Sequence, residues 1–322
     1  MQLHHRLDVR HVGRPHDLLG AQVGSDLRIV DPHVHLWDLS QARYGWLQDD
    51  PLPNNPAGDM SPIAHRDYLL KDYLADTAGW RVDKIVHVEA GQPIGQQLGE
   101  TDWLQATADD YGYPQGIVAG ADLLDPDLDA LLEAHAARSN VRGVRQIVCW
   151  HDDPLKTYTP RDLLPDPKWV EGFAKLARHG LSFDLQLYPS QMATAAIIAA
   201  RHPDVPIIVN HAGLPTDRDQ AGMKRWRAGL RLLAAQPHVS IKISGLGITD
   251  RAWTFESIRP IVLECIDVFG TERAMFASDF PVESVHGTFD AFFSAFDAIT
   301  ADFSADERDR LFAANAEAIY RI

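Results

Sequence analysis

Short apolar runs rich in β-branched residues recur eight times along the chain. They are Leu27–His35, Lys84–Ala90, Gly116–Leu123, Val141–Val148, Leu181–Tyr188, Pro206–Ala212, Val239–Leu246 and Arg273–Phe280. Runs of this length, flanked by turn-forming residues, read as buried strands. Amphipathic stretches of helical period lie between them, at Arg66–Trp80, Pro126–Arg138, Asp166–His179, Ser190–Arg201, Asp217–Gln236 and Phe255–Phe269. Asp166 and Ser190 stand where helix N-caps belong, and Gly180 and Gly270 where helices end. Strands alternating with helices predict a parallel sheet, either doubly wound or closed. Gly91, Gly95 and Gly99 do not make the GxGxxG spacing of a doubly wound nucleotide fold. The span from Leu27 to Phe280 is about that of one (β/α)8 TIM barrel. Leu311, Phe312, Ala316 and Ile319 predict a C-terminal closing helix within Phe303–Ile322.

Residues 1–26 lack this alternation and are expected to form an N-terminal extension to a single barrel domain, 27–322. The first loop, Asp38–Ile63, is long and rich in Pro, Asn and Asp, which predicts a cover over the barrel mouth. Composition changes little in this picture: 45% of the 322 residues are hydrophobic and 23% charged, an ordinary globular balance. The formal net charge of −15 and the lack of a Lys/Arg block argue against nucleic acid and anionic membranes as partners. No run is apolar enough for a membrane span. The N-terminus has no apolar signal-peptide core. Two separated cysteines, Cys149 and Cys265, suit a reducing compartment and are expected to be packed thiols. A cytoplasmic enzyme with a small-molecule substrate is the expectation, and homo-oligomerisation is compatible with it.

The chemistry gathers at the ends of the strands. The first run ends DPHVH, with His33 and His35 two apart, so both imidazoles leave one face of a strand. Such a pair supplies half of a tetrahedral metal site. The second run ends in His87 and Glu89. The fourth carries Arg145 and Gln146, then Trp150 and His151, and the fifth Asp184, Gln186 and Tyr188. The sixth ends Asn210-His211, the seventh carries Lys242 and Ser244, and the eighth Ser278-Asp279. Polar groups converging at one level of an apolar barrel are costly to bury without a function. There is no GxSxG elbow for a serine hydrolase.

DPHVH, IIVNHAG and MFASDFP, on the first, sixth and eighth strands, resemble the amidohydrolase superfamily. HLWD with YGWL, ETDWL, VRGVRQ, GLSFDLQL, KISGLG and the closing NAEAIYRI resemble its lactonase branch. That branch contains L-fucono- and L-rhamnono-lactonases and the pyrone dicarboxylate lactonase. The resemblance implies a hydrolase opening a lactone, most readily a sugar-acid lactone, by attack of water. It implies Asp279 as general base and His33, His35 and His211 as a cluster that binds a divalent metal or polarises the carbonyl. Gln186 stands where two-metal members have histidine, so the expected site holds one ion, zinc foremost, or none. Glu89 is either a metal ligand with His33, His35, His211 and Asp279 or a buried partner of Lys242. Arg145 and Lys242 either hold substrate or form salt bridges inside the barrel. Gln186 orders neighbours or substrate hydroxyls, and Trp37, Tyr44, Trp150 and His151 would wall a polyol pocket. The rival reading is a metal-dependent non-oxidative decarboxylase of an aromatic or unsaturated acid. A barrel that merely binds a ligand is disfavoured, because all four site residues are retained.

Overall fold

A computed structural model describes residues 27–322; the expected extension at 1–26 lies outside the described residues. Eight strands form one parallel sheet in sequential order: β1 (Arg28–Val34), β2 (Arg81–Val88), β3 (Gly116–Gly120), β4 (Val141–Arg145), β5 (Ser182–Leu185), β6 (Ile207–Val209), β7 (Val239–Ile243) and β8 (Ala274–Phe276). A parallel bridge between Val34 and Phe280 brings the last strand back to the first. The backbone bonds His35 N→Phe280 O (2.8 Å) and Asp279 N→His33 O (2.9 Å) hold that seam. The protein is therefore the (β/α)8 TIM barrel its alternation predicts.

The strands are shorter than their apolar runs, mostly at the C-terminal end. Gln186, Asn210, Ser244 and Ser278 lie just beyond the strands. β1 carries a register shift between Asp31 and Val34, where Pro32 has no N–H to give the ladder. The helix expected at 66–80 is confined to Leu70–Asp76, because Tyr68 pairs with Trp37 in an antiparallel bridge that holds the chain extended. Two further helices, Gln97–Tyr111 and Phe289–Ile299, complete the outer ring.

Two apolar layers follow from the strand pattern. The larger lies between sheet and helices. The smaller joins Val30, Val86, Val118, Ile208 and Met275 to Ala313, Ala316 and Tyr320 of the C-terminal segment. That segment, a π-turn at Arg310–Ala314 running into the helix Asn315–Tyr320, plugs the barrel from below. The first loop is packed rather than loose: Leu47, Ala57, Met60 and Ile63 are buried. It reaches the loops after β8 and β4 through His286 Nε2 to Ala57 O (2.9 Å) and Asn54 Nδ2 to Leu155 O (3.3 Å).

Asn315 anchors the plug by donating to Thr271 O and Ala274 O, both at 2.7 Å. Asn315→Ala strands those carbonyls, so it should lower the unfolding free energy by about 1–3 kcal/mol. An unchanged urea midpoint would show that the plug is held by apolar packing alone.

Candidate active site

Asp279 stands at the seam, in the left-handed region at φ +60, and is 1% exposed. His35 Nε2 lies 3.2 Å and His33 Nε2 3.4 Å from its Oδ1, and His211 Nδ1 lies 3.9 Å from its Oδ2. His33 and His211 rings are 4.7 Å apart. Among the described residues, Asp279 Oδ2 has no hydrogen-bond partner. His211, Ala212 and Leu214 also carry positive φ, at 53, 52 and 47. Non-glycine residues hold such a backbone only where surroundings enforce it, and functional sites are where it concentrates. Gly245 shows the enforcement: a Cβ there would meet the His211 ring at 2.7 Å.

Burial sets the electrostatics. It holds the His33 and His35 pKa values well below the ordinary range, helped by Lys242 beside His33 and Arg145 beside His35. His211 is lowered to about 4, again by burial, with Asp279 opposing. All three imidazoles are thus neutral at pH 7. Asp279 is raised by burial, while His211, Arg145 and Lys242 pull it back. The result is a carboxylate more basic than usual, facing neutral rings.

The remaining polar residues pair across the barrel, whose closure brings side chains of distant strands to one level. From β4, Arg145 Nε donates to Glu89 Oε1 (2.6 Å) and its Nη2 to Glu89 O (2.6 Å) after β2, while its Nη1 donates to Gln186 Oε1 (3.2 Å) after β5. Glu89 Oε2 accepts from Gly91 N (2.7 Å). From β7, Lys242 faces Asp184 at 2.5 Å and His33 Nδ1 at 3.3 Å. The Glu89–Lys242 alternative does not form, because Glu89 is held by Arg145 and Lys242 by Asp184. Glu89 is also outside the group of close donor atoms, which comprises His33, His35 and Asp279; both its oxygens are taken. Lys242 is fully buried.

Two of the expected wall residues are elsewhere. Trp37 is fully buried, donates from Nε1 to Arg66 O (2.9 Å) and packs on Trp46 and Tyr68. Tyr44 is buried with its hydroxyl on Glu100 Oε1 (3.0 Å). Trp37 is held there by its bridge to Tyr68, and Tyr44 by its hydroxyl on Glu100. Trp150 and His151 do line a cavity of about 220 Å³, together with Tyr188, Ser190 and Arg225. Cys149 packs against Tyr188 and Leu214, and burial raises its pKa far above a reactive thiol's. Asp31 ties the seam from below, accepting from Ser278 N (2.9 Å) and Tyr73 OH (2.8 Å).

Two groups escape a reading of strand ends. Glu283, in the turn after β8, is 1% exposed; its Oε1 accepts from Gly247 N and its Oε2 has no partner. Tyr320 donates to Asp184 Oδ1 at 2.8 Å from the C-terminal helix. Only the tyrosine had a sequence signal, as part of the closing NAEAIYRI.

Glu89→Ala should cost about 3–5 kcal/mol, since it leaves the guanidinium of Arg145 buried without a counter-charge. The side chains are 5% and 9% exposed, so solvent screens the pair little. A urea midpoint equal to wild type would mean that Arg145 finds another partner.

Residues 30–322 match the amidohydrolase family. The chain is 45% identical over 299 residues to y4mH, an uncharacterized protein of Sinorhizobium fredii (strain NBRC 101917 / NGR234), covering 92% of this chain and 100% of that one. It is 29% identical over 310 residues to an L-fucono-1,5-lactonase of Burkholderia multivorans, covering 91% and 96%. A crystal structure of a Burkholderia multivorans amidohydrolase with bound zinc superposes with a TM-score of 0.75 at 26% identity, over 91% of this chain and 99% of that one.

Proposed function

The chain belongs to the amidohydrolase family, and from that premise we propose that it hydrolyses a lactone, a sugar-acid lactone in particular. The observation that carries this reading is Asp279: a buried carboxylate with one unpartnered oxygen, enclosed by three neutral imidazoles. A cyclic ester needs a nucleophile, a stabiliser for the oxyanion and an acid for the departing alkoxide. Asp279 Oδ2 takes a proton from water, the hydroxide adds to the lactone carbonyl, and Asp279 returns the proton to the ring oxygen as the C–O bond breaks. The products are one hydroxyl and one carboxylic acid, which loses its proton to solvent to become the carboxylate. Imidazole N–H groups around the carbonyl stabilise its developing negative charge, in the manner of an oxyanion hole. Arg145, fixed by Glu89 and Gln186, adds positive charge beside His33, with Nη1 3.4 Å from its Nε2.

His33, His35 and Asp279 each offer one ligand atom within 4.8 Å of the others. With the unpartnered Asp279 oxygen, that set fits a single divalent ion, zinc foremost, with His211 alongside. Bound there, the ion would lower the pKa of water to about 7 and polarise the carbonyl. The cavity lined by Trp150 and His151 also carries Tyr188, Ser190 and Thr216, a mix of aromatic and hydroxyl groups that suits a polyhydroxylated molecule, while His33, His35, His211 and Asp279 are not in its lining. The 29% identity with an L-fucono-1,5-lactonase over nearly both whole chains supports the substrate class.

A panel of aldono- and uronolactones, read by acid release, tests the proposal. One sugar lactone should be opened, and Asp279→Asn should lower kcat by about 10²–10⁴-fold. Silence across the panel, with carbon dioxide released from an aromatic acid instead, would replace the lactonase reading with decarboxylation. The pH profile adds a second check. The base works ionised, and burial raises its pKa above the ordinary carboxylate value of 3.8. Log kcat/KM should therefore fall as pH drops through a value above that range, and Asp279→Asn should remove this limb from any residual rate.

A further inference from the structure

The tyrosine hydroxyls single out one residue. The chain has eight tyrosines. Six place the hydroxyl on a protein oxygen: Tyr44 on Glu100, Tyr68 on Asp76, Tyr73 on Asp31, Tyr113 on Asp83 O, Tyr188 on Lys156 O and Tyr320 on Asp184. Tyr111 is 52% exposed. That leaves Tyr158, which is half-buried and whose hydroxyl has no hydrogen-bond partner among the described residues. Such a group is costly to hold unless something outside the chain satisfies it. The loop after β4 brings it back to the strand ends. Asp153 N donates to His151 Nδ1 (2.9 Å), Lys156 N to Asp153 O (3.0 Å) and Tyr158 N to Cys149 O (3.0 Å). Thus fixed, Tyr158 packs on Cys149, Tyr188 and Leu214, which follow β4, β5 and β6. Tyr188 lines the cavity of about 220 Å³, and Leu214 N donates to His211 O at 2.8 Å. Burial holds the Tyr158 pKa well above the ordinary phenol value; Tyr188, Cys149 and Asp279 push it further, and Arg145 opposes. The hydroxyl therefore keeps its proton, with the cavity wall and the charged groups of the site both within its reach.

We propose that Tyr158 is a specificity-determining residue: its hydroxyl donates a hydrogen bond to an oxygen of the molecule bound at Asp279. On the lactonase reading, on which the identity of that molecule rests, the acceptor is an oxygen of the sugar-acid lactone. A phenol held this firmly to its proton is a poor acid, so the contact binds and orients while Asp279 moves the proton. It is made alike before and during the reaction, and its loss weakens binding more than turnover. Tyr188 cannot take the same part, because its hydroxyl is committed to Lys156 O.

Tyr158→Phe keeps the ring and removes only the hydroxyl. No protein hydrogen bond is lost with it, so the urea midpoint should equal that of wild type. A lower midpoint overturns the proposal, because the hydroxyl then has a partner in the protein. For a lactone that the wild type opens, KM should rise about 10-fold with kcat within about 3-fold of wild type. The acid limb of the pH profile should stay in place; a displaced limb overturns the proposal, since Tyr158 then acts on Asp279 and not on substrate. Fluorine NMR of the full chain labelled with 3-fluorotyrosine gives a reading independent of turnover, with Tyr158→Phe assigning the signal. Asp279→Asn protein is titrated with the aldono- and uronolactones and then with hydroxylated aromatic acids. The Tyr158 signal should move with a lactone. A signal unmoved by every compound overturns the proposal. A lactone opened by Tyr158→Phe at the wild-type kcat/KM also overturns it and leaves the lactonase reading standing. A shift with an aromatic acid and none with any lactone would support the contact and sink the lactonase reading instead.

Discussion

Charge buried inside a barrel has to be neutralised where it stands, and that requirement orders the interior of this protein above its apolar plug. Lys242 and Asp184 are both fully buried. Moving either from water into such surroundings costs several kcal/mol unless a partner and further hydrogen bonds compensate. The compensation comes from Tyr320 and Asn210 on the carboxylate and His33 on the ammonium. A second buried pair, Arg145 with Glu89, does the same. With both pairs satisfied internally, Asp279 is the strand-end carboxylate left with a free oxygen. Its reactivity is thus a remainder: every neighbouring charge is already committed.

The backbone serves the same end. Asp279, His211, Ala212 and Leu214 all hold positive φ, where a Cβ crowds the backbone carbonyl. Each is fixed by close packing or by the β1–β8 seam, as in the Asp279 N→His33 O bond. The barrel is therefore most strained where it is also most polar. That pairing belongs to a preorganised site, where strain is sustained by the surrounding fold and little rearrangement is needed when substrate arrives.

The barrel, its order and its closing helix were legible in the chain, because burial on both faces of a parallel strand leaves an unbroken apolar run. His33, His35, His211 and Asp279 were legible too, as polar residues ending such runs. Trp37 and Tyr44 misled: large aromatics near a site look the same in sequence whether they wall a pocket or pack a loop, and the Trp37–Tyr68 bridge decides for packing. Glu283 was not visible, since a carboxylate in a polar turn carries no periodic signal; only its neighbours bury it.

Partner choice was the part beyond reach. Local sequence placed Glu89, Arg145, Asp184 and Lys242 at strand ends but left Lys242 equally open to Glu89. Strand tilt and closure bring side chains of strands far apart in sequence to one level of the barrel. That assigned Lys242 to Asp184 and to His33, whose rings of contacts come from residues 58 and 209 positions away. Hydrophobic periodicity is a local property and determined the fold by itself. Which buried charge meets which is a property of the closed barrel and was decided only there.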